Sequence, residues 1–200
     1  MVLGLHVGDF LHNLRSALDH LVYELAAAHT APLPTSAAET CEFPVFWKKP
    51  MDARQEQSKI GSVHPDAATL IGAMQPHRKG GNYKDDPLWI LNELERIDKH
   101  RTLNVASHKL SKNDIAGINM NVRAFTGIAD DEVVTRGSML AEFFVERIDP
   151  NQPMHVDYRP STIITFGRGL PLSGKPLGSS LRKLYEDVER ITVIPLERFL

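Results

Sequence analysis

Eight apolar side chains, Val7, Phe10, Leu11, Leu14, Leu18, Leu21, Val22 and Leu25, recur at spacings of three and four. An α-helix places residues so spaced on one face. At ~100° per residue they span a sector of roughly 120°. The chain must therefore supply a core for this helix, expected over residues 5–28, to bury the stripe against. Pro32 and Pro34 stop it, because proline lacks the amide hydrogen that a helix interior needs. Polar groups flank the stripe. Arg15, Asp19 and His12 lie on one side. His20 lies on the other, beside Asn13, Ala17 and Ala27, small residues that leave room for a second packed helix. Arg15 and His20 are about 140° apart around the axis, so a site using both needs another element or another subunit.

A second long helix starts at Asp86-Pro87, an acidic cap followed by proline at the first position. It is expected to run from 87 to about 110, with Ile90, Leu91, Leu94 and Ile97 on its apolar stripe. Asp98 and Arg101 project within ~60° of that stripe's centre, followed by Val105 and His108. Charges on a core-facing stripe need partners, because burying an unpaired charge is costly.

Between these helices, residues 30–50 read as a loop carrying an apolar plug, Phe43-Pro-Val-Phe-Trp47. Trp47 and Trp89 each sit among apolar neighbours and are expected in the core. A modest helix is expected over 51–60 and a short one from His64 to Met74, with Pro65 in its first turn. Residues 75–84 read as a mobile basic loop. From Ile115 to Phe166 the pattern becomes strand-like: Ile118, Met120, Val122 and Ala124 alternate with polar residues. Segments 132–135 and 139–148 flank a hairpin at Arg136-Gly-Ser138, and 154–158 and 162–166 add strands. A Gly/Pro-rich linker over 167–178 leads to a last helix over 179–194. The expectation is a single α+β domain. Its helical bundle comprises 1–112 and 176–200. A four- or five-stranded antiparallel β-sheet is inserted over about 113–168, before the C-terminal helix.

An apolar fraction of 42% suffices for a core, and a net charge of -2 argues against a broad nucleic-acid footprint while allowing a local basic pocket. The lone Cys41 cannot form an internal disulfide, which fits a cytoplasmic location; with no histidine placed to activate it, it reads as an inert thiol. Neither a membrane span nor a signal peptide is expected, and no cofactor.

Two blocks occur together: Gly8-Asp9 with Asn13-Leu-Arg-Ser-Ala-Leu-Asp-His20, and Pro87-Leu-Trp-Ile-Leu-Asn-Glu-Leu-Glu-Arg-Ile-Asp-Lys-His-Arg101. With Phe43-Pro-Val-Phe46 between them, this set resembles a group of uncharacterised bacterial proteins over residues 7–105. Many members of that group have more chain before the Gly-Asp, so the resemblance implies an N-terminal element that this chain lacks. A more distant resemblance is to HEPN domains, α-helical and often dimeric, which cut RNA without metal through Arg-x4–6-His. Arg15 to His20 fits the four-residue spacing and Arg101 to His108 the six-residue one. The motif sits in the first helix, whereas HEPN motifs usually lie late in the bundle, and the β insertion is not a HEPN part.

What the HEPN resemblance implies is a nucleic-acid-directed protein, with metal-independent RNA cleavage in a bacterial defence or toxin setting. RNA is then the expected partner and a homodimer the expected assembly. Such cleavage needs a base, an acid and cationic donors for the phosphorane charge. His20 and His100 suit the proton transfers, Arg15 and Arg101 the phosphate contacts, and Asp19 and Asp98 the orientation of the imidazoles. Arg78, Lys79 and Lys84, with His77, are placed to meet phosphates around Gly80-Gly81, although the P-loop spacing is missing and such loops are more often simply solvated. A rival reading makes Arg15, Asp19, Asp98 and Arg101 a buried ion-pair lattice in a non-catalytic binding or scaffolding domain, the commoner outcome for such residues. A third is a metal-dependent hydrolase using His12, Asp19, His20, Asp98 and His100, but no metal-binding spacing is present. Whether the chain is an enzyme stays open at this point.

Overall fold

A computed structural model describes residues 2–50, 53–100, 103, 115–127, 141–158 and 164–200. The chain forms two compact units, Met1–Leu103 with Leu181–Leu200, and Asn104–Ser180.

The first unit is helical. Helix α1 (Val2–His29) buries Val7, Leu11, Leu18, Leu21, Val22 and Leu25, the stripe the periodicity marks. A short helix α2 (Thr35–Thr40) lies where a loop was expected. It buries no side chain, so it leaves no apolar period to read. Helices α3 (Ala53–Ile60) and α4 (Pro65–Ala73) follow. Proline opens α4, and His64 Nδ1 accepts the Asp66 N–H at 3.2 Å to cap it.

The basic segment expected to be a mobile loop is instead a pair of 3-10 turns (Pro76–Asp85) joined at Gly80, whose φ of 57° favours glycine. What orders it is the Asp86 carboxylate, only 1% exposed, which takes the Lys79 ammonium at 3.0 Å and the Leu88 N–H at 2.9 Å. Asp86 thus both caps α5 (Pro87–His100) and ties the preceding turn to it. Helix α5 buries Leu88, Leu91, Leu94, Ile97 and the carboxylate of Glu95. The helix does not run on to 110 as expected, since Leu103, buried, is not helical; the rest of that stretch, with Arg101 and His108, lies outside the described residues.

Helices α1 and α5 pack antiparallel. Glu95 reaches His12 at 3.7 Å, while the carboxylate of Asp98 lies so close over Gly8 that a β-carbon there would overlap it. Helix α6 (Leu177–Ile191) buries Leu184 and Val188. It ends at Thr192, whose hydroxyl donates back to the Val188 carbonyl. A one-turn helix α7 (Val193–Leu196) follows, rather than a single helix to 194.

The second unit carries the strands: β1 (Ile115–Ile118) pairs with β4 (His155–Tyr158), and β2 (Met120–Gly127) with β3 (Ala141–Arg147), both antiparallel. Among the described residues this makes two two-stranded sheets, not one sheet of four or five. The reason is Asn119. The alternation from 118 to 124 reads as one strand, but Asn119 takes a φ of 56° and turns the chain between β1 and β2. Its side chain holds that turn, donating to the carbonyls of Asp149 (2.8 Å) and Gln152 (2.9 Å) and accepting the Asp149 N–H at 2.6 Å. A bulge at Arg123 shifts the β2–β3 register. The hairpin expected at 136–138 lies outside the described residues, as do 162 and 163 of the last expected strand; of its described residues, Thr165 and Phe166 form isolated bridges, to Pro176 and Ser173. The architecture is α+β.

Candidate functional site

Segment 43–46 is held almost entirely by side chains acting on its main chain. Arg15 donates from Nη2 to the Phe43 carbonyl at 2.7 Å and from Nη1 to Asp19 Oδ1 at 2.6 Å. The same Oδ1 accepts the Phe43 N–H at 2.8 Å, closing a ring. From the other side, Gln75, 1% exposed, accepts the Phe46 N–H at 2.8 Å. Its Nε2 donates to the carbonyls of Pro44 (2.9 Å) and Ile71 (3.0 Å). His77 gives the Phe46 carbonyl its main-chain N–H at 3.1 Å and, in the Nδ1–H tautomer, a second bond at 3.2 Å. Among the described residues no strand pairs with this segment, and buried main-chain groups must be paired; four side chains stand in for a ladder. Phe43, fully buried, is thereby seated in the core. Lys59 of α3 belongs to the same cluster. Burial and then the Arg15 guanidinium push its pKa down, Asp19 offsets part of that, and it pairs with Glu42.

This geometry separates the residues expected to share a site. Arg15 meets Asp19 but not Asp98, which lies over Gly8, seven residues or about 10 Å further along α1. The buried carboxylate on α5 is Glu95, paired with Lys99 at 2.6 Å, rather than Asp98, which is half-buried. The Glu-x-x-x-Lys spacing is the signal that marks it. His20 and His100 are both exposed. Because α1 and α5 run antiparallel with Asp98 at Gly8, His100 lies toward the start of α1, about 18 Å or more along the axis from His20. Within one chain the two imidazoles do not face one phosphate. Arg101 lies outside the described residues.

Among the phosphate-contact candidates, Lys79 is committed to Asp86, Arg78 donates to the Gly72 carbonyl at 3.4 Å, and Lys84 is exposed. No three His, Cys, Asp or Glu groups among the described residues are placed to hold a metal, so His12, Asp19, His20, Asp98 and His100 do not converge. Burial pushes the Cys41 thiol up, away from the reactive thiolate.

One surface escaped the sequence reading. Trp47, expected in the core, is 44% exposed. Its indole stacks on Tyr83 with centroids 5.7 Å apart, Tyr83 meets Trp89 edge-on at 5.7 Å, and Lys48 Nζ lies 4.2 Å from the Trp47 centroid. A cleft of about 260 Å³ opens beside it, lined by Val45, Phe46, Trp47, Lys48, Lys49 and Gln55 among others. The signal was present in Trp47-Lys48-Lys49, an aromatic side chain followed directly by two cations. A larger groove of about 780 Å³ between α3 and α4 is lined by Ile60, Val63 and Ala68 together with Gln57, Thr69 and Arg78, and has no exposed aromatic ring in its lining.

No helix among the described residues is long and apolar enough to cross a membrane. No protein-family model, curated protein or solved structure matches the chain.

Proposed function

We propose that the chain is a nucleic-acid-directed binding domain, non-catalytic in its Arg15–Asp19 network, that meets single-stranded RNA at the Trp47–Tyr83 edge. The observation that carries this reading is the exposed Trp47 ring, backed by Tyr83 and flanked by Lys48 and Lys49 beside an open cleft. Bases of any sequence stack on such rings while cations follow the backbone. Lys48 occupies the ring face, and an incoming base would displace its ammonium toward the adjoining phosphate. The Arg15 guanidinium, spent on the Phe43 carbonyl and Asp19, has little left for a phosphate.

The test is titration of a labelled single-stranded RNA into the protein at low salt, read by anisotropy and tryptophan quenching, in excess chelator. Expected are quenching, intact RNA, weakening with salt, and about tenfold or greater weakening in Trp47→Ala, since stacking contributes ~1–3 kcal/mol per base. Absence of binding, or unchanged binding by Trp47→Ala, overturns the proposal. RNA cut in chelator, with cutting lost in His20→Ala, would establish the metal-free ribonuclease reading instead.

A further inference from the structure

Among the described residues, none covers one face of α1. His6, Asp9, Asn13, Ala17, His20 and Glu24 are exposed along it, together with Leu5 at 55% and Tyr23 at 42%. These residues fall within about 120° of the helix circumference. Leu5 and Tyr23 are the large apolar side chains exposed on this face, one toward each end.

The face is complementary to itself. A two-fold axis perpendicular to α1 superposes positions at equal distances on either side of its centre, provided they share the same angle around the helix. Leu5 and Tyr23 are eighteen residues apart, about five full turns, and so share one angle; His6 and Glu24 do the same about 100° away. Asp9 and His20 are eleven residues apart and coincide within about 20° between them. The three pairs centre on Leu14, on Arg15 and midway between them, within about 1.5 Å along the axis. Antiparallel pairing with a second copy therefore sets Leu5 on Tyr23, the His6 imidazole against the Glu24 carboxylate, and the Asp9 carboxylate against His20, each twice. The side chains nearest the centre on this face are Asn13, Ser16 and Ala17. Small groups at the crossing point let two helices approach, and longer ones toward the ends fill the widening gap.

From this charge and shape match we infer that the uncovered face of α1 is the interface of an antiparallel homodimer. One helix pair places the contact at the small end of interface sizes, so a weak association that depends on concentration is expected. The inference stands apart from RNA binding, since Trp47 plays no part in it.

The experiment is sedimentation equilibrium of the full chain across a concentration series. A monomer–dimer equilibrium is expected. His20→Glu, which sets an acid against Asp9 at two symmetric places, should weaken it about tenfold or more. The double exchange Asp9→Lys with His20→Glu restores opposite charges and should recover the dimer. Both positions are exposed, and melting curves confirm that the variants fold. A protein that stays monomeric at millimolar concentration overturns the inference. So does a dimer indifferent to His20→Glu, or one that the double exchange fails to recover.

Discussion

The Arg15 guanidinium and the main-chain carbonyl of Phe43, twenty-eight residues apart, meet at 2.7 Å. That contact fastens a segment that pairs with no strand among the described residues. Arg15→Ala removes it and leaves the Phe43 carbonyl and the Asp19 carboxylate to find other partners. A loss of about 2–3 kcal/mol is expected, read as a lower denaturant midpoint with an unchanged slope. Arg15→Lys should recover only part of it, because an ammonium lacks the planar fork that serves both acceptors at once.

Gln75 should be more sensitive. Its buried amide makes three bonds in two directions. Gln75→Leu keeps the approximate volume but strands the Phe46 N–H and the Pro44 carbonyl, at a cost of about 2–4 kcal/mol. Gln75→Glu preserves only the acceptor and should also destabilise. Chemical denaturation of both variants, side by side with the parent, is the check.

Gly8 lies under Asp98, and the atoms a new methyl would meet are all in the Asp98 carboxylate. Gly8→Ala is therefore expected to lose ~1–2 kcal/mol through overpacking, against the usual gain from replacing glycine in a helix. Adding Asp98→Ala should reverse the loss. A double-mutant cycle in thermal melting reads the coupling, and additivity of the two changes would refute the contact.

On α6, Asp187 accepts from Lys183 at 2.9 Å and from Arg190 at 2.8 Å. The Lys183 hydrogen bond holds its carboxyl below the ordinary carboxylate range; partial burial opposes this and Arg190 reinforces it. A folded pKa depressed in this way adds stability above the unfolded value of about 3.9 and loses it as pH falls through the folded one. The parent should exceed Asp187→Asn by about 0.5–1 kcal/mol at neutral pH, the discounted worth of an ion pair at the surface. The gap should close in acid, as followed by melting from pH 7 to pH 2.

The long elements were legible because their periods are strong. Val7 to Leu25 marked α1, Asp86-Pro87 marked the start of α5, and Leu184 with Val188 marked α6. The site was less legible for a geometric reason. Spacing along one helix places a side chain around the axis but says nothing of how far a neighbouring helix has slid, and that slide set Asp98 on Gly8 instead of beside Arg15. The clamp residues Gln75 and His77 bond to main-chain atoms, which every sequence offers equally, so no residue pattern announces them. The left-handed turn at Asn119 interrupts an alternation that looks unbroken on paper.

Fastening residues 43–46 through peptide groups, not side chains, has a consequence for how this chain can drift over generations. Arg15, Asp19 and Gln75 grip atoms that no substitution in the segment removes, short of a proline that deletes an N–H. Half-buried Val45 is thus free to change while its holders are not. A collection of descendants should show variety in the strap and constancy in the buckle.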